Sequence, residues 1–207
     1  MSDVWQLVHA ERRALIAFLE GVDDARWDTP SLCPGWRVRD VVAHQISTAD
    51  TTRLGFIKGM VLARFDFDRD NQNGVDRELG PAAQMLDRYR ALVDRTSGPP
   101  APLDTRLVEA VVHGEDIRRP LGAVGDYPPE AVERALRLQA RTGKGMGGAK
   151  EHVAGLRLRA TDADVTLGDG PEVTGPLLAL LLAVSGRTVA LEELSGEGLP
   201  TLVERVS

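Results

Sequence analysis

The chain contains very little cysteine and very little lysine. Cys33 is the only cysteine among 207 residues, so no disulfide can form within the chain; this composition is typical of the reducing cytoplasm. Only three lysines occur, and the positive charge is therefore almost all arginine. The formal net charge of -6 argues against nucleic acid as a partner, because nucleic-acid binding depends on cationic side chains that neutralise phosphates.

Long apolar runs are scarce as well. No run reaches the roughly 18 residues that a membrane-spanning helix requires. The start, Met-Ser-Asp-Val-Trp-Gln, lacks the basic and apolar stretches of a secretory signal. We therefore expect a cytoplasmic protein with no membrane partner. The 43% of hydrophobic residues is enough to build a buried core.

Amphipathic periodicity predicts a helical N-terminal part. The first helix is expected to begin after the cap residue Ser2, and Gly21 is expected to end it. Further helices are predicted over residues 38–64, 80–96, 105–119 and 130–141. The acidic residues Asp66, Asp68 and Asp70 are interpreted as a solvated loop, because the segment lacks the Gly and Glu of a calcium-binding loop.

The pattern changes after Thr142. The glycine-rich residues 143–149 predict a flexible linker, and apolar–polar alternation over 153–160 and 164–167 predicts short strands. Residues 177–184 are predicted to form a short apolar helix.

These elements together predict an α+β fold in two domains. Residues 1–142 are assigned to a four-helix bundle, and residues 150–207 to a small C-terminal α+β domain.

Three residues of the predicted bundle form a candidate metal site. Glu109 and His113 stand four residues apart on one helix, which places them on the same face, about 6 Å apart along the axis. His44, on another helix, is the best candidate for a third ligand. Two histidines and one glutamate leave open positions on a zinc-like ion, as in catalytic sites. A salt-bridged helix face and a hydrogen-bonded core histidine are the simpler alternatives.

Two motifs resemble the mycothiol-dependent maleylpyruvate isomerase family, which belongs to the DinB-like four-helix metalloproteins. They are Cys-Pro-Gly-Trp-Arg-Val-Arg-Asp-Val-Val-Ala-His (33–44) and Val-Val-His-Gly-Glu-Asp-Ile-Arg-Arg-Pro-Leu-Gly (111–122). Segments 155–164, 168–175 and 181–187 agree with the C-terminal part of that family. Arg37 departs from the pattern, because relatives often carry Ser or Thr there to cap the helix together with Asp40.

The resemblance implies a DinB-like bundle and a thiol-dependent enzyme of isomerase or S-transferase type. It implies a divalent metal, expected to be zinc, with His44, Glu109 and His113 as ligands. Mycothiol would be the thiol cosubstrate, and its metal-bound thiolate would attack a small electrophile. Arg187 is implied as a catalytic residue that could hold a substrate carboxylate.

Several alternatives are left open by the sequence. Arg187 could instead pair with Glu192 or Glu193, or cap the C-terminus of a helix. Asp116 either orients His113 or pairs with Arg119. The protein could also be a non-catalytic metal-binding or small-ligand-binding protein, or a hydrolase that uses a metal-bound water.

The expected partners are mycothiol and a small-molecule electrophile, and we expect the chain to be a monomer or a homodimer. Cys33 is expected to be a buried and inert thiol.

Overall fold

The computed structural model describes residues 3–206, which divide into two compact units. One unit ends at Asp126 and the other begins at Tyr127. The helices are α1 (Val4–Glu20), α2 (Val38–Asp50), α3 (Arg53–Leu62), α4 (Phe67–Glu78), α5 (Ala82–Ala91), α6 (Thr105–Arg118), α7 (Pro129–Arg141), α8 (Lys150–Val153), α9 (Leu177–Val184) and α10 (Leu199–Val206). The strands are β1 (Arg157–Ala160), β2 (Thr166–Leu167) and β3 (Glu172–Gly175). These elements confirm the predicted α+β class.

Four helices of the N-terminal unit form a bundle. Helices α1 and α2 each pack on α5 and on α6. Their apolar faces meet in one core whose largest members are Leu15, Leu19, Trp27, Ile46, Tyr89 and Ile117. The four-helix bundle predicted from periodicity is therefore confirmed. No helix within residues 3–206 is both long and apolar enough to cross a membrane.

The N-terminal helices begin at capping residues that the sequence pattern identified only in part. Ser2, the expected cap of α1, lies outside the described residues; the Asp3 side chain accepts a hydrogen bond from Trp5 N at 3.3 Å. Asp40 accepts from Arg37 N at 2.7 Å and from Arg37 Nε at 3.0 Å. Arg37 has no side-chain acceptor, so only the half of the capping box that Asp40 supplies is available to α2.

The single helix predicted over residues 38–64 is two helices. The chain is extended at Thr51 and Thr52, and the Thr52 hydroxyl accepts from Gly55 N at 3.0 Å. A side-chain oxygen at this place satisfies one of the free N–H groups at a helix start. The helix therefore ends at Asp50 and a new one begins at Arg53.

The prediction of a solvated loop at residues 66–70 was wrong. Asp66 is the N-cap of α4, and its carboxylate accepts from Arg69 N at 3.0 Å. Acidic residues in the first turn also favour a helix by their interaction with its dipole. Helix α4 buries Gly74 and Val75 and packs along α2. The acidic run is thus a helix start and not a loop.

The close contact between α2 and α4 allows a test of the fold. A Cβ atom at Gly74 would lie 2.6 Å from Ser47 Oγ and 3.3 Å from Ser47 Cβ. We expect Gly74→Leu to lower the free energy of unfolding of the N-terminal unit by about 1–3 kcal/mol, because the added atoms overpack this contact. All three tryptophans lie in that unit, so urea unfolding followed by tryptophan fluorescence measures it. Asn73→Leu, exposed on the same helix, is the control and should stay close to the wild type.

The C-terminal unit includes one helix that the sequence analysis placed in the bundle. Helix α7 packs on α9 and α8, and the division between units falls at 126/127 instead of near residue 142. The apolar face of α7, with Val132, Ala135 and Leu136 buried, explains this placement. Residues 143–149, expected to be a flexible linker, fold back in a turn in which Ala149 N donates to Gln139 O at 2.9 Å.

The C-terminal sheet has the order β2–β1–β3. Strand β1 is antiparallel to β2 and parallel to β3. The turn after β2 requires Gly168, because its φ is +76° and a Cβ atom there would collide with Leu156 O. Helix α9 spans the predicted residues 177–184, and its first amide, Leu177 N, donates to Asp162 Oδ1 at 2.8 Å.

Candidate metal centre

Helices α2 and α6 bring the three predicted ligands together. His44 Nε2 lies 3.1 Å from Glu109 Oε2, and His113 Nε2 lies 3.6 Å from the same oxygen. The two imidazole rings are 4.8 Å apart between centroids and nearly perpendicular. One ligand atom from each of the three residues falls within 4.8 Å of the others. Residues from distant parts of the sequence therefore converge on one point.

The packing of α2 on α6 fixes the backbone that carries these side chains. Gln45, which follows His44, donates from Nε2 to Glu109 O at 2.7 Å. Tyr89 on α5 donates in turn to Gln45 Oε1 at 3.2 Å. Buried polar groups that are fully hydrogen-bonded define a unique packing arrangement. This chain from α5 through α2 to α6 sets the spacing between His44 and Glu109.

The His113 ring is held from its other side. His113 Nδ1 donates to Asp116 Oδ2 at 2.8 Å, and Cys33 Sγ donates to the same oxygen at 3.0 Å. Asp116 is fully buried, and the loop that carries Cys33 is anchored where Leu32 N donates to Asp116 O at 3.3 Å. In the singly protonated ring, Nδ1 carries the proton toward Asp116 and Nε2 carries the lone pair on the side of Glu109 and His44. This is the tautomer that a metal ligand needs.

His44 is held by rings and not by a second hydrogen bond. It is 4% exposed, and its Nδ1 has no hydrogen-bond partner among the described residues. The Trp36 ring packs against it at 5.3 Å between centroids, and Trp36 Nε1 donates to Gln72 Oε1 at 3.1 Å. Packing by aromatic rings restricts the imidazole orientation.

The charges of the site favour a carboxylate between two imidazoles. Burial alone would raise the pKa of Glu109, but hydrogen bonding to His44 and the positive potential of both histidines and Arg106 outweigh it and lower that pKa strongly. Burial would likewise lower the pKa of His113. Hydrogen bonds with Asp116 and Cys33 and the charge of Glu109 outweigh it and raise the pKa of His113 to about 10. A divalent metal ion bound by the three side chains would supply the positive charge beside Glu109 that protonated histidine supplies without it.

The donor set fits a divalent transition metal. Two imidazole nitrogens and one carboxylate oxygen are the ligands of many catalytic zinc sites, and the hydrogen bond from His113 Nδ1 to a carboxylate is the usual support of a ligating histidine. A second group of possible ligands, Cys33, His113 and Asp116, overlaps the first at His113. Its members are already bonded to one another on the far side of the ring, so the first group is the candidate metal site.

Sequence reasoning missed two side chains of the site. Cys33 was expected to be buried and inert, but it is only partly buried and bonds to Asp116. Trp36 was not singled out at all. Both lie in the irregular stretch Cys-Pro-Gly-Trp before α2, where periodicity says nothing about side-chain direction. The only available signal was that this stretch belongs to the same motif as His44.

The structure also shows the contacts of Asp116 and Arg187, for which the sequence left alternatives open. Asp116, for which a pair with Arg119 was the alternative, bonds to His113, while Arg119 Nε donates to Glu115 Oε2 at 2.9 Å. Arg187 lies in the C-terminal unit, three residues after the end of α9, and its Nη1 donates at 2.6 Å to the carbonyl oxygen of Ser185, the C-cap residue of that helix. Its catalytic role stays a prediction.

Comparison with known proteins shows a similarity in the N-terminal unit. Residues 8–97, which include His44, match the family model described as mycothiol maleylpyruvate isomerase N-terminal domain. The N-terminal unit carries this domain. The family resemblance drawn from the two motifs is therefore confirmed. Glu109 and His113 lie beyond the matched segment, so their assignment depends on the geometry of the site.

Solved structures show that the fold extends over both units. The crystal structure of a mycothiol-dependent maleylpyruvate isomerase superposes with a TM-score of 0.66 at 19% identity, over 94% of this chain and 91% of that one. A histidine-to-alanine mutant of a mycothiol-dependent maleylpyruvate isomerase gives a TM-score of 0.65 at 18% identity, with the same coverage. At these identities the likeness shows a shared fold. No curated protein sequence matches the chain.

Proposed function

We propose that the protein is a metal-dependent enzyme that uses mycothiol, of the isomerase or thiol S-transferase type. The observation that carries the proposal is the convergence of His44, Glu109 and His113 on one point, in a chain whose N-terminal domain matches that of the mycothiol-dependent isomerases. The substrate class is a small electrophile, such as a carboxylic acid with a conjugated carbon–carbon double bond. An S-transferase and an isomerase would share the same first step, attack by a thiolate.

Each residue of the site has a separate part in this proposal. A zinc ion held by His44, Glu109 and His113 would lower the pKa of a thiol enough to produce a thiolate at neutral pH. Asp116 accepts a hydrogen bond from His113 Nδ1, so Nε2 is the nitrogen that would bind the metal in place of a proton. Trp36 restricts the ring of His44. Arg187 is proposed to bind a carboxylate of the substrate through its guanidinium group.

Cobalt substitution tests whether a thiol reaches the metal. Cobalt(II) in a zinc site gives a sulfur-to-cobalt charge-transfer absorption when a thiolate is coordinated. The experiment uses Cys33→Ser protein, because Cys33 Sγ lies 3.7 Å from His113 Nδ1 and is itself a possible source of sulfur. We expect the absorption band to form on adding mycothiol, and not with a mycothiol analogue in which serine replaces the cysteine.

The outcomes separate the proposal from its alternatives. An unchanged cobalt spectrum with mycothiol would contradict the enzyme proposed here and would favour a metal- or ligand-binding protein. Turnover of an ester or amide without any thiol would favour the hydrolase, in which bound water is the nucleophile. Mycothiol-dependent consumption of maleylpyruvate or of a chloronitrobenzene would identify the isomerase or transferase type respectively.

Asp116 offers a test of how the site is supported. We expect Asp116→Asn to weaken zinc binding by about 10–100-fold, because loss of the charged partner of a ligating histidine has an effect of this size. Competition with a chromophoric chelator measures the dissociation constant. Glu115→Gln is the matched control, since Glu115 is the preceding residue, is equally buried, and bonds to Arg119 and not to His113. Equal effects of the two substitutions would assign Asp116 to structural stability alone.

A further inference from the structure

Helix α3, the turn after it and the first residue of α4 carry most of the exposed large apolar side chains within residues 3–206. Leu54 is 80% exposed and Phe65 is 74% exposed. Six such residues lie within this short stretch, and we call them the α3 patch: Leu54, Ile57, Val61, Leu62, Phe65 and Phe67. Single exposed apolar residues are ordinary, but a contiguous group is typical of an interaction site.

Helix α3 is rich in apolar residues but is mostly exposed to solvent. A helix that is apolar on all sides is normally buried, yet Met60 is the only residue of α3 that is buried. The helix packs mainly on α4, where Gly59 allows the close approach of the Asp70 carboxylate. Only one narrow face of α3 therefore contacts the rest of the chain, and its other apolar side chains are exposed to solvent.

The turn that ends the α3 patch is strained. Arg64 and Phe65 have φ values of +60° and +63°, and they are the only non-glycine residues within 3–206 with positive φ. The left-handed conformation costs free energy for residues with a side chain. Phe65 N donates to Met60 O at 2.7 Å and holds the turn. The turn therefore holds the exposed Phe65 in a defined backbone conformation at the end of α3.

The charges around the α3 patch are of both signs. Arg53, Lys58 and Arg64 provide positive charge, and Asp66 and Asp68 provide negative charge. Within the part of the chain that the structure describes, none of the five forms an ion pair. A surface that carries both signs can be complementary in charge to a copy of itself, as a two-fold symmetric interface requires.

We propose that the α3 patch is the interface of a symmetric homodimer of this chain. The six apolar residues expose on the order of 700 Å² together, close to the roughly 800 Å² that each partner contributes to a stable interface. An anionic membrane is a poorer occupant, because Asp66 and Asp68 lie within the surface and the chain has a net charge of -6. The proposal does not depend on the metal centre.

Sedimentation velocity of the full chain, from about 1 µM to 100 µM, tests the proposal. We expect a monomer–dimer equilibrium in which Ile57→Asp and Phe65→Asp each weaken association by at least about tenfold, as central apolar residues of interfaces do. Val124→Asp and Met146→Asp are the controls, since these residues are 62% and 73% exposed but lie elsewhere. Hydrogen exchange of residues 53–67 should slow as the protein concentration rises in the wild type and in both controls, and should slow less in Ile57→Asp and Phe65→Asp.

Three outcomes would overturn the proposal. The first is a wild-type protein that stays monomeric over the whole concentration range. The second is a dimer whose dissociation constant is the same in Ile57→Asp and Phe65→Asp as in the wild type. The third is a monomer that binds phosphatidylserine vesicles in a manner abolished by the same substitutions, which would assign the α3 patch to a membrane surface.

Discussion

Replacing His44 by alanine, or Glu109 by glutamine, is expected to weaken zinc binding by about a thousandfold. Three side chains share the binding free energy of the ion, and protein zinc sites bind with about 10–16 kcal/mol, so one ligand accounts for roughly 4 kcal/mol. His113→Ala should have an effect at least as large, because it removes a ligand and also leaves the buried Asp116 carboxylate without its imidazole partner. Competition with a chromophoric chelator gives the dissociation constants, and metal analysis after dialysis gives the stoichiometry.

Two other histidines serve as controls for this series. His9 Nε2 lies 3.2 Å from Arg95 O, and His152 Nδ1 lies 2.7 Å from Val184 O. Each is bonded to a backbone carbonyl and neither belongs to a group of possible ligands within residues 3–206. His9→Ala and His152→Ala should therefore keep the wild-type zinc affinity. If His44→Ala kept it as well, the assignment of the metal centre would be wrong.

Helices α6 and α9 could be predicted because their apolar patterns are regular. Residues 105–118 and 177–184 have the predicted helical structure almost to the residue. The errors occur where a local hydrogen bond competes with periodicity. Thr52 begins a new helix through its hydroxyl, and Asp66 begins another through its carboxylate. Whether such a residue caps a helix or lies in a loop depends on what the next turn packs against, which the local sequence does not contain.

The three candidate ligands could be predicted from spacing and from resemblance, but their surroundings could not. The i, i+4 relation of Glu109 and His113 is a property of any helix. The meeting of Cys33 with Asp116 depends instead on the path of an irregular loop that returns to α6. The same limit applies to α7, whose amphipathic pattern predicts a helix without showing that it packs on α9 in the C-terminal unit.

The buried pair of Glu11 and Arg118 provides a test of how charge limits stability. Arg118 Nη1 donates to Glu11 Oε1 at 2.6 Å, and both side chains are almost fully buried. Burial raises the pKa of Glu11 from 4.5 to about 7, with a further contribution from the negative charge of Glu115 and with Arg118 acting in the opposite direction. Removal of the carboxylate from water therefore has a larger effect than its attraction to the guanidinium group.

The raised pKa predicts a fall in stability between acid and neutral pH. The folded state binds the Glu11 proton more tightly than the unfolded chain, so this contribution is complete below pH 4.5 and is lost as the pH rises through about 7. From pH 4.5 to pH 8 we expect the wild type to lose about 2–4 kcal/mol relative to Glu11→Gln, whose amide does not titrate. Urea unfolding at each pH, followed by tryptophan fluorescence, measures the difference.

The variant Arg118→Met tests whether Arg118 lowers the pKa of Glu11. Without the guanidinium group nothing at this contact favours the ionised carboxylate, so the pKa of Glu11 should rise further. The fall in stability relative to the double variant Glu11→Gln/Arg118→Met should then move to higher pH than in the wild type. A wild-type protein whose stability, relative to Glu11→Gln, is constant from pH 4.5 to pH 8 would show that Arg118 balances the burial of Glu11. A fall that stays at the same pH in Arg118→Met would show that Arg118 does not act on this carboxylate.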